Sequence, residues 1–221
     1  MDGNGRWARL QGKERIFGHM QGVESVRSVA EAAGKAGIKY LSLFAFSEEN
    51  WNRPETEVEY LMGLMFKSMV AELKTFMANG VRFRVLGNRE RLSSSLNDEI
   101  LEIEKETAEN KGLTLIIFLS YSGKWDILQA AKKMALKLSA EEIENLSAED
   151  FSEYLVTAGV PDPDLIIRTS GEERISNYLL WQSAYSEFYF TKVLWPDFRA
   201  EEFAKALEEY ASRDRRYGKV K

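Results

Sequence analysis

The chain has no cysteine, a single histidine and four prolines among its 221 residues. Lack of cysteine excludes disulfides, thiolate metal sites and thiol nucleophiles, and suits a reducing, cytoplasmic compartment. No apolar run approaches the roughly 20 residues a membrane-spanning helix needs, and no stretch has a signal-peptide pattern, so membrane contact would have to be peripheral. An excess of positive charge is missing too. The net charge of −5 and a pI near 5.3 argue against a general nucleic-acid binder, whose backbone affinity comes from clustered Lys and Arg. Repeats, low-complexity tracts and composition shifts are absent, so residues 1–221 read as one α/β domain with a sizeable core.

What is present is arginine and glycine gathered in short polar clusters. The chain opens Met1-Asp2-Gly3-Asn4-Gly5-Arg6-Trp7. Gly3 and Gly5 permit positive φ, which lets successive backbone N–H groups converge on an anion. Arg6 offers a planar fork to the same oxygens. Asp2 would be repelled by a bare phosphate, so its place in such a turn makes sense with a hard cation such as Mg²⁺ between carboxylate and diphosphate. Read alone, the same residues also describe an exposed N-terminal turn.

Ala8 to His19 is polar and basic and reads as a loop or short helix over a site. Gln21 to Ala36 has helical spacing, and Ile38 to Phe46 is short and apolar enough for a buried strand. That strand delivers Ser47-Glu48-Glu49-Asn50-Trp51-Asn52-Arg53-Pro54, a loop at a carboxyl end, where open α/β sheets place ligands. Thr56 to Asn79 reads as a helix whose Met- and Phe-rich face either packs on the sheet or lines an apolar channel for a pliable chain. Val81, Phe83 and Val85 alternate with Arg82 and Arg84 as a half-exposed strand. Ser95 to Asn110 reads as a helix, Leu113 to Tyr121 as a central strand, and Trp125 to Leu138 as another helix.

The strand Leu165 to Arg168 leads into the second cluster, Arg168-Thr169-Ser170-Gly171-Glu172-Glu173-Arg174-Ile175-Ser176. It describes a phosphate cradle, or equally a surface loop with Arg174 paired to a glutamate. Tyr178 to Tyr185 reads as a helix. Glu187 to Phe190 reads as a strand whose acid must be paired, protonated or metal-bound among aromatic neighbours. Trp195 to Phe198 is a turn with large rings, buried in the core or at a subunit contact. Arg199 to Arg213 closes the chain as a helix, and Arg213, Arg215, Arg216, Lys219 and Lys221 form a basic tail, solvated or resting on anionic lipid or a substrate phosphate.

Taken together, Met1 to Trp7, Phe46 to Pro54 and Arg168 to Asn177 closely resemble the motifs of the cis-prenyltransferase family in order and spacing. The resemblance runs from Met1 to about Tyr217. It implies a mostly parallel central sheet flanked by helices, a homodimer, Mg²⁺ dependence, and cis condensation of isopentenyl diphosphate onto an allylic diphosphate such as farnesyl diphosphate. The product would be a long-chain lipid carrier for cell-wall polysaccharide synthesis, growing into a hydrophobic tunnel between the sheet and the helices Thr56–Asn79 and Ser95–Asn110. By the same resemblance Asp2 is the metal-associated catalytic aspartate. Gly3, Asn4, Gly5, Arg6, Arg15, His19 and Arg53 hold the primer diphosphate, and Trp7, Ser47, Glu48, Glu49 and Trp51 shape the pocket around it. Arg168, Arg174, Ile175 and Ser176 hold isopentenyl diphosphate, Glu187 is associated with Mg²⁺, and Glu57 influences activity. Asn50 matches the position credited with proton acceptance, but a neutral amide is a poor base, so it is expected to orient substrate while a phosphate oxygen takes the proton. His19, beside arginines, is expected to be neutral and to bind rather than transfer protons.

Two departures stand out. Glu173 occupies a place where many relatives carry histidine, which changes the local Mg²⁺ geometry. Relatives also place an apolar strand directly before the motif that begins at Met1. The expectation is a longer natural protein, and otherwise a gap in the sheet and a lost anchor for Asp2. The rival readings are a non-catalytic lipid-binding or scaffolding relative, and a nucleotide-binding enzyme, the latter opposed by the absence of a P-loop or dinucleotide fingerprint. Product length would depend on side-chain bulk at the tunnel floor, from Leu113 to Leu119.

Overall fold

The computed structural model describes residues 1–215. Two short parallel sheets carry the site. β1 (Tyr40–Ser47), β3 (Thr114–Tyr121) and β2 (Arg82–Leu86) pair in the order β1-β3-β2, and β4 (Leu165–Arg168) pairs with β5 (Glu187–Phe190). Among the described residues no ladder joins β1 to β4. The helices are α1 (Asn4–Leu10), α2 (Arg15–Lys35), α3 (Glu55–Ala78), α4 (Ser94–Glu106), α5 (Gly123–Lys137), α6 (Ala140–Glu144), α7 (Ala148–Ser152) and α8 (Ala200–Ala211). No helix among the described residues is long and apolar enough to cross a membrane.

β3 lies between its neighbours and is buried from Leu115 to Tyr121, as a strand with both faces covered should be. On one face Leu115, Ile117 and Leu119 join Phe83, Val85, Ile100 and Ile103 in the main core. On the other, Ile116, Phe118 and Tyr121 meet Tyr178 and Leu179. β2 alternates as expected, with Phe83 and Val85 inward. Its outer edge is blunted by α4 and the turn after it. Glu104 accepts from the Val85 amide at 2.8 Å, and Thr107 accepts from the Phe83 amide at 3.1 Å.

α2 carries a face of small residues. Gly18, Gly22, Ser25 and Ala33 are buried on it with Val29. A Cβ on Gly18 would lie 1.9 Å from the Asn4 carbonyl oxygen, and one on Gly22 would lie 2.6 Å from Asn4 Oδ1. That bare face lets α1 and the Trp195–Asp197 turn approach closely. Trp195 donates to the Gly22 carbonyl at 2.9 Å, and its own carbonyl accepts from Ser25 at 2.8 Å. The Trp195 and Phe198 rings are therefore buried within the chain itself.

Three expectations are corrected. Tyr178 to Tyr185 forms a chain of turns instead of a helix, because Ser176, Asn177 and Leu179 take positive φ of 47°, 63° and 46°, which a right-handed helix cannot contain. The acidic connector Ser139–Asn145 contains a helical turn, α6, closed by a capping box in which Ser139 and Glu142 satisfy each other's backbone N–H groups. Of the two opening glycines only Gly3 has positive φ, at 107°, and it starts α1; Gly5 lies inside that helix.

Candidate active site

Asp2 sits where the chain start, the exit of β4 and the Trp195 turn meet. Its amide donates to Thr169 Oγ1 at 2.9 Å, and its carbonyl accepts from the Thr169 hydroxyl at 2.7 Å and from the Trp195 amide at 3.0 Å. One carboxylate oxygen accepts from the Gly3 amide at 2.7 Å, and the other faces Arg168 at 3.1 Å and Arg6 at 3.5 Å. Partial burial pushes the Asp2 carboxyl up, but the Arg168 and Gly3 hydrogen bonds and the charges of Arg168 and Arg6 outweigh it and hold the group below the ordinary carboxylate range.

Arg168, at the end of β4, organises the second cluster. One of its amino groups donates to the Arg174 carbonyl and to Ser176 Oγ at 2.7 Å, and the other reaches Asp2. Its Nε is buried with no partner among the described residues. Arg6, which the resemblance assigns to the primer diphosphate, contacts this cluster. It donates to the Ser170 carbonyl at 3.1 Å and to the Ser170 hydroxyl, and pairs with Glu172 at 3.0 Å. Glu172 also pairs with Arg174 at 2.5 Å, so one carboxylate spans two arginines.

A second arginine group is arranged the same way. Arg15, in the first turn of α2, and Arg53, just before α3, share Glu57 at 3.5 and 3.2 Å. Glu57 is in the first turn of α3, where an acid is favoured. His19 lies beside them. Burial, then Arg53, then Arg15, against an opposing pull from Glu57, lower its pKa from the ordinary 6.5 to about 4. Its Nε2 is buried without a partner among the described residues, so a neutral ring with a nitrogen those residues leave unused lines the cavity.

The turn Glu48–Asn52 connects these groups. Asn50 Oδ1 accepts from the Ser47 amide at 3.1 Å within a capping box, and no described residue accepts from its amide nitrogen. Glu48 accepts from Ser120 at 2.6 Å and pairs with Arg91 at 2.9 Å, while Trp51 donates to the same Ser120 oxygen at 2.8 Å. Ser120 itself is fully buried with φ of 51°. Glu49 accepts from Asn177 at 2.7 Å.

Behind the polar groups lies a cavity of about 1750 Å³. That exceeds the roughly 300–1,000 Å³ of ordinary small-molecule pockets. Asp2, Asn4, His19, Ser47, Asn50 and Arg53 line it, as do Arg168, Arg174, Ile175 and Ser176. Its apolar wall includes Leu61, Met62, Met65 and Met69 of α3 and Val26 and Val29 of α2, and it reaches Leu113 to Leu119 of β3. The expected channel face of α3 is there, but the second helical wall is α2. No residue of α4 takes part, because α4 is spent on covering β2. Residues of β1 and of β4 also line the cavity.

Gly3, Gly5, Arg6, Arg15, Glu48, Glu49 and Trp51 border these groups without lining the cavity. Trp7 points elsewhere: its indole donates to Asp197 at 2.7 Å and its ring stacks on Phe17 at 5.9 Å. Glu187 is at the far end of β5 from the residue paired with Arg168, and its carboxylate pairs with Arg213 at 2.9 Å. Glu173 is exposed. Arg213 and Arg215 of the basic tail are engaged with Glu187, Glu209 and Asp164; Arg216, Lys219 and Lys221 lie outside the described residues. Glu172, Ser120, Thr169 and Asn177 received no role from the sequence. Glu172 and Asn177 were within reach of it, since each stands inside a motif already singled out.

The sequence matches a known family over nearly its whole length. The description "Putative undecaprenyl diphosphate synthase" fits residues 1–218. The chain belongs to this family. An isoprenyl transferase of Porphyromonas gingivalis is 47% identical over all of this chain and 87% of its own length. A ditrans,polycis-undecaprenyl-diphosphate synthase of Haemophilus ducreyi, described as (2E,6E)-farnesyl-diphosphate specific, is 49% identical over 99% of this chain and 91% of its own. Among solved structures, lavandulyl diphosphate synthase from Lavandula x intermedia in complex with dimethylallyl diphosphate superposes with a TM-score of 0.95 at 34% identity, covering 99% of this chain and 95% of that one. A probable undecaprenyl diphosphate synthase from Campylobacter jejuni gives 0.81 at 33%, covering 90% and 93%.

Proposed function

We propose that this family member condenses isopentenyl diphosphate with an allylic diphosphate, farnesyl diphosphate by the likeness of its relatives, and extends it to a long polyprenyl diphosphate that serves as a lipid carrier for cell-wall polysaccharide. The observation that carries the reading is that Arg53 and His19 of one group and Arg168 and Arg174 of the other line one large cavity with an apolar wall. The group of Arg15, His19 and Arg53 takes the primer diphosphate. Arg168, Arg174 and Ser176 take that of isopentenyl diphosphate.

In the reaction the allylic C–O bond breaks, the isopentenyl double bond supplies the electrons for the new C–C bond, and one proton leaves the condensed carbon skeleton. Arg15 and Arg53 stabilise the negative charge developing on the departing diphosphate, exchanging Glu57 for it. His19, neutral at physiological pH, binds phosphate through its unused nitrogen. Asn50 donates its amide N–H to hold the substrate, and a diphosphate oxygen accepts the proton. The apolar wall excludes water that would otherwise capture the cationic allylic carbon.

The donor set suits Mg²⁺ held jointly by protein and substrate. Among the described residues no three acids or histidines form a cage, whereas a single ionised Asp2 plus diphosphate oxygens is a usual Mg²⁺ arrangement. When bound there, the ion supplies positive charge against the leaving group. Glu187 could join only after release from Arg213. We further propose a homodimer, supported by the outer edge of β5, which pairs with no described strand and exposes Phe190.

The test is incubation with labelled isopentenyl diphosphate, farnesyl diphosphate and Mg²⁺, followed by sizing of the extracted lipid. Wild type should give a long polyprenyl product and Asp2→Asn none, with unchanged circular dichroism. Binding of both diphosphates without turnover by wild type would favour a non-catalytic relative instead.

A further inference from the structure

Among the described residues no backbone ladder joins β1 to β4, and so none sets the distance between the Glu48–Asn52 turn and the loop carrying Arg174 and Ser176. Yet a condensation between two bound diphosphates depends on that distance. Reacting carbons must be held about 3–3.5 Å apart, and an error of about 1 Å can cost on the order of a hundredfold in rate.

Asn177 spans the interval. Its side-chain amide nitrogen donates to Glu49 Oε1 at 2.7 Å, next to Asn50. Its side-chain oxygen accepts from the Lys124 amide at 2.9 Å, and its backbone carbonyl accepts from the Gly123 amide at 2.7 Å, both at the start of α5. Every polar group beyond its own N–H is therefore used, on two different elements. Its φ of 63° is left-handed, which asparagine tolerates better than most residues, and it follows Ser176 at 47°. The next residue, Tyr178, is stacked on Phe44 at 4.6 Å and donates to Ser42 at 2.7 Å, which seats the segment against the flank of β1. Partial burial pushes the Glu49 carboxyl up, but hydrogen bonds, chiefly from Asn177, hold it below the usual range. The link is thus a charge-assisted one.

We propose that Asn177 is a positioning residue that fixes the isopentenyl diphosphate loop against the Asn50 turn through Glu49, and so sets the approach of the two substrates. The proposal rests on the function proposed above. Asn177→Asp keeps the acceptor for Lys124 and turns the contact with Glu49 into repulsion. Adding Glu49→Gln restores a hydrogen bond of reversed polarity, the glutamine amide donating to the aspartate.

A double-mutant cycle over this pair tests it, read by single-turnover rate, primer-diphosphate affinity, thermal midpoint and amide hydrogen exchange of residues 172–177. Asn177→Asp should lower the condensation rate about tenfold or more, leave primer affinity within about twofold, and speed exchange in the loop. The double variant should recover at least about fivefold of the rate and the exchange protection. If Asn177→Asp reacts like wild type, or the second substitution rescues neither rate nor exchange, the proposal is wrong. A loss that follows the thermal midpoint alone, with all kinetic parameters falling together, also overturns it. Wild-type turnover reports separately on the reaction itself, and the exchange measurement judges the tether even without turnover.

Discussion

Arg168 is 15% exposed and holds a carbonyl, a hydroxyl and a carboxylate, whereas Arg15 and Arg53 are 52% and 32% exposed and share a single glutamate at 3.2–3.5 Å. On the proposed assignment the two half-sites therefore differ at their central arginines. In one, Arg168 is set before substrate arrives, locked by neighbours whose positions depend on it in turn, while Arg174 beside it is 60% exposed and paired with Glu172. The other is loosely tethered and can follow a phosphate that moves. The difference suits a chain-lengthening reaction, in which isopentenyl diphosphate is the same in every cycle while the allylic partner grows.

The contrast can be broken in graded steps. Arg168→Ala should be the most damaging change, lowering kcat/KM by about 10³ because Asp2, Arg174 and Ser176 lose a common support. Arg168→Lys should rescue little of it, since a point charge cannot serve three partners in one plane. A loss below tenfold would mean the two groups are not differently built. Arg53→Ala should cost about 10–100-fold, mostly as weaker primer binding, which a titration with allylic diphosphate would read.

His19 provides a third step. Between pH 6.5 and about 4 the unfolded chain takes up a proton that the folded ring refuses, so stability is fully kept above that window and falls as pH drops through it. The fall in thermal midpoint from pH 7 to pH 5 should be smaller in His19→Gln than in wild type. The kcat/KM profile should show no inflection near 6.5 that this variant removes. Glu57→Gln should have the smallest effect, a change of a few-fold in primer KM at low ionic strength that fades as salt screens the exposed pairs.

Much of this arrangement was readable from residue order. The five strands follow from apolar runs and from the Phe83/Arg84 alternation, and the polar clusters fall at strand ends because that is where chain turns toward a ligand. The apolar face of α3 announced a wall. What failed to show was everything decided by distant partners. Local propensity made Tyr178 to Tyr185 a helix, but the segment ties β1 to α5 through Tyr178–Ser42 and Gln182–Asp126, and Leu179 within it takes positive φ. The choice of α2 over α4 as second wall depends on which helix has to cover the β2 edge, a question of sheet order that periodicity does not encode. Glu172 and Glu57 look like ordinary surface acids until both are found between pairs of arginines.

The depth at which Asp2 sits is governed by atoms that are missing. Gly18 and Gly22 allow Asn4 and Trp195 to rest directly on the α2 backbone, and Asp2 hangs between those two residues. A single methyl group at Gly18 would act as a shim, lifting the first helix and tilting the aspartate away from Arg168 without touching either of them.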